Sequence, residues 1–464
     1  MISVRRRGVA RLAAAVLASG LVAAGAIATA GTAAADDAPP SQGGATATLG
    51  GLKTFDKAII HDNGKDQQVG AGLFEMSVDN GGSIQTYCID LHNPTQSKAK
   101  YEEKSWAETS LANNSNAGKI NWVLQNSYPQ VNDLGALAKT AGTGPLTEKT
   151  AAAGTQVAIW RFSDNAKVDA ADPQAEKLAD YLEKNAQNLQ EPKASLSLDP
   201  PAVSGKAGER LGPVKVHTNA DSVTLAPGAE SAGGVKLVDK SGKTITSAAD
   251  GGEVYFDVPE GAADGSATLT AQAATKVPVG RAFASATKSQ TQILAGSSES
   301  TVSATATANW AKKGAVPAVS AEKDCAKGGV DITASNKGDE AFTFELLGQK
   351  YTVEAGQSKT VTAPVKEDQS YKFTISGPNG FEKTFSGVLD CKTSSSGGSS
   401  DTPSSQPSPA SAGGSTGGDT SGGDLAETGS SSNTPMIAGI AVALVVVGGG
   451  AIFFVRKKKA TAGE

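Results

Sequence analysis

The chain is short of the residues that carry most enzyme chemistry. Its 464 residues include three cysteines, three histidines and 5% aromatics. The histidines are His61, His92 and His217, and no HExxH or CxxC spacing surrounds them. His61 beside Asp62 and His92 near Asp90 therefore read as surface or core histidines, and neither a metal nor a cofactor is expected. Glycine pairs such as Gly422-Gly423 lie in linkers, with no strand before and no helix after, so they are not phosphate loops. An excess of positive charge is also missing: the net charge is −5, which argues against nucleic-acid binding and against adsorption to anionic lipid.

What is present begins at the ends. Residues 1–35 form a secretory signal, with Arg5, Arg6, Arg7 and Arg11 before an Ala/Val/Leu run and Ala33-Ala34-Ala35 as the cleavage site. The adjacent arginines leave Sec and twin-arginine export both open, although the rest of the twin-arginine motif is absent. At the other end, residues 436–455 are apolar for a length that spans a bilayer, and Arg456-Lys457-Lys458-Lys459 in the basic tail 456–464 keeps that end cytoplasmic. An exported chain meets an oxidising compartment. Cys325 and Cys391 bracket one β-rich segment and can pair. Cys88 is then left over, as a free reactive thiol or an intermolecular bridge.

Cys88 stands in Gly81-Gly82-Ser83-Ile84-Gln85-Thr86-Tyr87-Cys88-Ile89-Asp90, which reads as a strand after a Gly-Gly turn. A helical stretch, Ala153-Gly154-Thr155-Gln156-Val157-Ala158-Ile159-Trp160, follows later. The two together, with Asn121-Trp122-Val123-Leu124-Gln125-Asn126-Ser127-Tyr128-Pro129 between them, resemble the Thr-Gln-x-Ala thioester domains of Gram-positive surface adhesins. The resemblance covers about residues 45–190. It implies an internal thioester between Cys88 and Gln156, with Tyr87, Asp90, Thr155, Ala158 and Trp160 as its surroundings.

Leu425-Ala426-Glu427-Thr428-Gly429, followed by the apolar span and basic tail, resembles a sortase cell-wall sorting signal, in the Ala-containing variant used by filamentous actinobacteria. The resemblance implies a secreted, peptidoglycan-anchored protein that is membrane-held before cleavage after Thr428. Residues 36–428 would then carry 34 Lys and Arg against 46 Asp and Glu, a net charge of −12.

The expected architecture is multidomain. A polar lead-in occupies 36–47. Residues 48–192 form an α+β thioester domain, mainly β, with strands at Val69–Val78 and Ile84–Asp90 and helical patterns around 117–126, 148–162 and 172–190. Residues 193–315 are Thr/Ser/Val/Ala-rich, with short alternating runs, and read as a β-sandwich domain. Residues 316–392 read as an Ig-like β domain clasped by Cys325 and Cys391. Residues 393–424 are a Ser/Gly/Thr/Pro stalk that cannot bury a core. A transmembrane helix and the tail complete the chain.

Three functions from different classes follow. The first is a wall-anchored adhesin whose thioester transfers Gln156 once to an amine, lysine or polyamine, on a target surface; with no turnover it is not an enzyme. The second is a cysteine hydrolase or transglutaminase-like enzyme using Cys88 with His92 or His61 as base. The third is a passive wall spacer. Expected partners are the amine-bearing target, sortase and peptidoglycan.

Overall fold

A computed structural model describes residues 43–62, 64–228 and 234–392. The signal segment, the stalk, the sorting pentapeptide, the apolar span and the basic tail lie outside the described residues. Among the described residues no helix is long and apolar enough to cross a membrane.

Two long strands start the fold, β1 (Thr46–Asp62) and β2 (Lys65–Val78). They pair antiparallel along almost their whole length. After the turn at Gly81 and Gly82, whose φ angles of 95° and 92° suit only glycine, come β3 (Ser83–Cys88) and β4 (Lys100–Lys104). Four helices and a short strand follow: α1 (Ala117–Gln125), α2 (Leu134–Ala141), α3 (Glu148–Ser163), β5 (Val168–Ala170) and α4 (Pro173–Asn185).

Helix α3 is the centre of this layer. Thr147 caps it by accepting from the Thr150 amide. Ala151 through Trp160 are all buried, as for a helix covered on every side. It packs on β1 and β2 and is covered by α1 and α4. Helix α4 starts at Pro173 behind the Asp172 cap. It stops at Asn185, so the last part of the expected 172–190 pattern is not helical: Leu189 is 37% exposed, and its amide donates to the Gly118 carbonyl.

The next region holds β6 (Leu196–Asp199), β7 (Ala202–Lys206), β8 (Arg210–Thr218), β9 (Val223–Pro227), β10 (Lys236–Val238), β11 (Ser247–Ala248), β12 (Glu253–Asp257), β13 (Gly265–Lys276), β14 (Ala282–Ser285), β15 (Gln292–Ser297) and β16 (Glu299–Ala311). Two sheets form a sandwich, ordered β10-β12-β8-β6 and β11-β9-β13-β16-β7. Its inner faces alternate strictly, as in Val302, Ala304, Ala306, Ala308 and Trp310 of β16.

Strands β14 and β15 do not join this sandwich. They return to the first sheet, whose order is β2-β3-β15-β14-β4-β1-β5 with β1 also paired to β2. The pairings therefore close a six-stranded ring, which leaves no free edge among those strands. The division expected at residue 193 is corrected accordingly: the two units interleave, since β14 and β15, which lie between β13 and β16 of the sandwich, complete the sheet that bears Cys88. The lead-in is corrected too, since Ala45 and Ala47 are buried and β1 begins at Thr46.

The junction is tied by a buried cluster. Glu103 of β4 accepts from Arg281 Nε at 2.9 Å, from the Ser195 amide at 2.9 Å and from the Ala45 amide at 3.2 Å. Arg281 also donates to Glu191 at 2.5 Å.

The last unit contains β17 (Pro317–Asp324), β18 (Gly329–Asn336), β19 (Phe342–Leu346), β20 (Gln349–Val353), β21 (Ser358–Pro364), β22 (Ser370–Ser376) and β23 (Glu382–Val388), as one three-stranded sheet and two hairpins. They surround Val330, Ile332, Phe342, Phe344, Ile375 and Phe385. Cys325 and Cys391 are joined in a disulfide. The Cys325 amide donates to the Ala107 carbonyl, and Asn113 donates to the Cys325 carbonyl, so the clasp also rests on the 106–113 turns.

Candidate functional site

Cys88 ends β3, and Gln156 lies in the middle of α3. The packing of α3 on the sheet brings the Gln156 side chain to Cys88 across 68 residues of chain, and both residues are 0% exposed. The Gln156 carboxamide docks on the backbone of Cys88 in both directions. Its Oε1 accepts from the Cys88 amide at 2.9 Å, and its Nε2 donates to the Cys88 carbonyl at 3.0 Å. This fixes the plane of the amide and which of its ends faces which group. Cys88 is in no disulfide.

One glycine allows this packing. A Cβ on Gly154 would stand 2.4 Å from the Ala175 carbonyl oxygen, so only glycine lets α4 approach α3 so closely.

The environment of the thiol is apolar and slightly acidic. Burial pushes the Cys88 thiol well above its usual range; a hydrogen bond from Gln292 opposes this, and the charges of Asp164 and Asp90 add to it. Asp164 is itself raised to about 6 by burial, against bonds from Ser163 and the Leu91 amide. A buried thiol of this kind stays protonated near neutral pH.

Of the surroundings named from the sequence, Tyr87 and Thr155 make polar contacts nearby. Tyr87 donates to the Tyr128 carbonyl at 2.8 Å, and Thr155 shares a 2.6 Å hydroxyl contact with Ser127. Thus the Tyr128-Pro129 segment is bound to the strand that ends in Cys88. Asp90 is buried; its carboxylate accepts from Asn93 and its carbonyl from Gln290. Ala158 and Trp160 are buried packing residues on α3, and the Trp160 indole N–H has no partner among the described residues.

The residues missed from the sequence come from β15 and the loop before it. Gln292 pairs with Cys88 in register and directs Nε2 to its Sγ at 3.7 Å. Thr86 donates to Gln292 Oε1 at 3.0 Å. The alternation of β3 puts Thr86 on the same face as Cys88, but no local signal marks Gln292.

The histidines fall elsewhere. His61 is held between Asp66 at 2.7 Å and Asp169 at 3.1 Å, bonds that raise its pKa, rather than by the neighbouring Asp62. His92 is lowered by burial, against the charge of Asp62. Among the described residues neither hydrogen-bonds Cys88. Three carboxylates, Glu367, Asp368 and Asp390, converge in the last unit. Glu367 there accepts the amides of Cys391 at 2.6 Å and Lys392 at 2.8 Å, which occupies it without a cation.

Comparison with known proteins follows the same division. Residues 85–188 match the family described as "Thioester domain", a span that contains both Cys88 and Gln156. Residues 317–388 match the family described as "Bacterial phospholipase C, C-terminal domain", which spans β17 to β23. No curated protein matches the chain. Among solved structures it is similar to the Bacillus anthracis TIE protein, at 15% identity over 76% of this chain and 81% of that one, with a TM-score of 0.27. It is also similar to the thioester domain of the Enterococcus faecium TIE86 protein, at 17% identity over 58% of this chain and 97% of that one, again with a TM-score of 0.27. The family match starts inside β3 and ends at residue 188, so it omits β1, β2, β14 and β15, the other strands on which the ring depends.

Proposed function

We propose that the protein is a surface adhesin that forms a Cys88–Gln156 thioester and attaches once, covalently, to an amine on a target surface. The observation that carries this reading is the two-way docking of the Gln156 carboxamide on the Cys88 backbone, within a segment that matches the thioester-domain family.

The chemistry follows from that docking. Cys88 Sγ attacks Gln156 Cδ, and negative charge builds on Oε1. The Cys88 N–H, 2.9 Å away, is already aimed at that oxygen and serves as one oxyanion donor. Nε2 leaves as ammonia with the thiol proton, so a thiol and a carboxamide become a thioester and NH3. The Cys88 carbonyl that holds Nε2 at 3.0 Å orients the leaving group. The full burial of both residues keeps water from the acyl carbon. A target lysine or polyamine then attacks Cδ, the C–S bond breaks, Gln156 ends amide-bonded to the target, and Cys88 regains its thiol. Each molecule reacts once, so the process is acyl transfer without turnover.

The order of signal segment, Leu425–Gly429 pentapeptide, apolar span and basic tail supports presentation on the cell wall through a sortase. The hydrolase alternative is disfavoured by the partners of His61 and by the absence, among the described residues, of a hydrogen bond from either histidine to Cys88.

The test is the intact mass of the fresh protein. It is expected to be lighter than the disulfide-bonded sequence by one ammonia, and methylamine is expected to add to Gln156 and release one thiol at Cys88. Cys88→Ala and Gln156→Ala each remove the deficit. Full mass with a Cys88 that labels at once and ignores amines would overturn the reading.

A further inference from the structure

We infer that Gln292 is a catalytic residue of this acyl transfer, donating a hydrogen bond to the Cys88 sulfur as it carries negative charge. The inference rests on the thioester reading and extends it to a residue outside the matched segment. Gln292 opens β15, 204 residues from Cys88, and it is brought opposite Cys88 by strand register. Its side chain is fully buried.

Its orientation is set by its neighbours. The Thr86 hydroxyl donates to Oε1 at 3.0 Å. An oxygen fixed there leaves only the NH2 group to face the sulfur, at 3.7 Å. The same NH2 also meets the Gln290 carbonyl and Oε1, each at 3.4 Å. Both hydrogens of the amide therefore have acceptors, and turning the group over would set its oxygen against the Gln290 carbonyl, which can only accept.

Sulfur changes charge twice in the proposed chemistry. In thioester formation the thiol gives up its proton as it attacks Gln156 Cδ. In amine capture the Cδ–Sγ bond breaks and its electron pair stays on sulfur as thiolate, while the amine nitrogen bonds to Cδ and its proton finally reaches the sulfur. In a buried apolar site a thiolate is costly, and the Asp164 and Asp90 charges near Cys88 raise that cost. A neutral N–H donor held on the sulfur offsets it without adding a charge to bury. Hydrogen bonds to charged groups are strong enough to change such a rate by tenfold or more.

The test compares Gln292→Met, which keeps the length and loses the donor, and Thr86→Val, which keeps Gln292 and removes the bond that orients it. Each full-length variant is checked by circular dichroism, and then its ammonia deficit and its rate of methylamine uptake are followed by intact mass. The wild type is expected to react at least about tenfold faster than folded Gln292→Met, and Thr86→Val is expected to be slower than wild type in the same direction. A folded Gln292→Met chain that never loses ammonia gives the same support at the forming step. Uptake at the wild-type rate by a folded Gln292→Met chain that carries the thioester overturns the role of Gln292 and leaves the adhesin reading standing. If Gln292→Met does not fold, Thr86→Val decides alone, and a wild-type rate there overturns the proposal. A wild type of full mass overturns both readings.

Discussion

Replacing Arg281 by methionine tests the claim that the sandwich and the returning strands are welded to the first sheet. Arg281 immediately precedes β14, and its side chain is 6% exposed; the Glu103 carboxylate it meets is 1% exposed. Removing the guanidinium leaves that carboxylate buried, with only the Ala45 and Ser195 amides and the Ser195 hydroxyl as donors. Breaking a buried pair on one side costs about 3–5 kcal/mol. The three remaining donors keep part of the solvation, so about 3 kcal/mol is expected here. Glu103→Gln is milder, at about 2 kcal/mol, because Arg281 keeps Glu191 at 2.5 Å and the Pro192 carbonyl at 3.2 Å. The double variant is expected to fall short of the sum by 1–3 kcal/mol, to order of magnitude, since the two residues share one interaction. Guanidinium unfolding followed by tryptophan fluorescence reads this, and one of the four tryptophans, Trp106, lies at the junction, donating its indole N–H to the Gly280 carbonyl beside Arg281 and its amide to Glu191. A loss below about 1 kcal/mol for Arg281→Met, or strict additivity in the double variant, would refute the idea that this pair holds the junction.

Two further perturbations follow from the packing. Gly154→Ala gains roughly 1 kcal/mol of helix propensity, but its methyl would sit 2.4 Å from the Ala175 oxygen and 3.2 Å from Leu178 Cβ. Overpacking of about 1–3 kcal/mol should win, which a thermal melt will register as a lower midpoint; a higher one means that α4 moves away freely. Reduction of Cys325–Cys391, which closes a separation of 66 residues, should weaken the last unit by ~4 kcal/mol in the chain-entropy account. Methylamine uptake at Gln156 should continue unchanged, and a matching loss of uptake would mean that the clasp on the 106–113 turns reaches the site.

The parts of this fold that were legible in the sequence are those with a local signal. The helical patterns around 117–126 and 148–162 coincide with α1 and α3, and the strand runs Val69–Val78 and Ile84–Asp90 fall on β2 and β3. Cys88 stood out because it was the odd thiol, and Gln156 because a family resemblance named its tetrapeptide. The end of α4 was misread because Ala186 and Leu189 continue the helical spacing, although the chain leaves the helix to put the Leu189 amide on Gly118. Helix α2 escaped notice as a short segment, stopped by Gly142 at a φ of 67°.

The returning strands are a different kind of failure. Ala282–Ser285 and Gln292–Ser297 are short β runs amid other short β runs, and nothing within either says which sheet it completes. The deciding information is distributed. It lies in the Arg281–Glu103 pair, in the register that sets Gln292 against Cys88, and in the contact of the Ile89 amide with the Thr291 carbonyl. Each joins residues more than 170 positions apart, so no window along the chain contains both partners. The physical consequence bears on function: the sulfur of Cys88 receives its donor from a strand that lies between two strands of the sandwich, β13 and β16. A segment cut at residue 192 would keep Cys88 and Gln156 but lose β14, β15 and Gln292. Such a fragment leaves β3 and β4 with open edges and the thiol without its donor, so it should form the thioester poorly, whereas a chain running through Ala311 should form it fully.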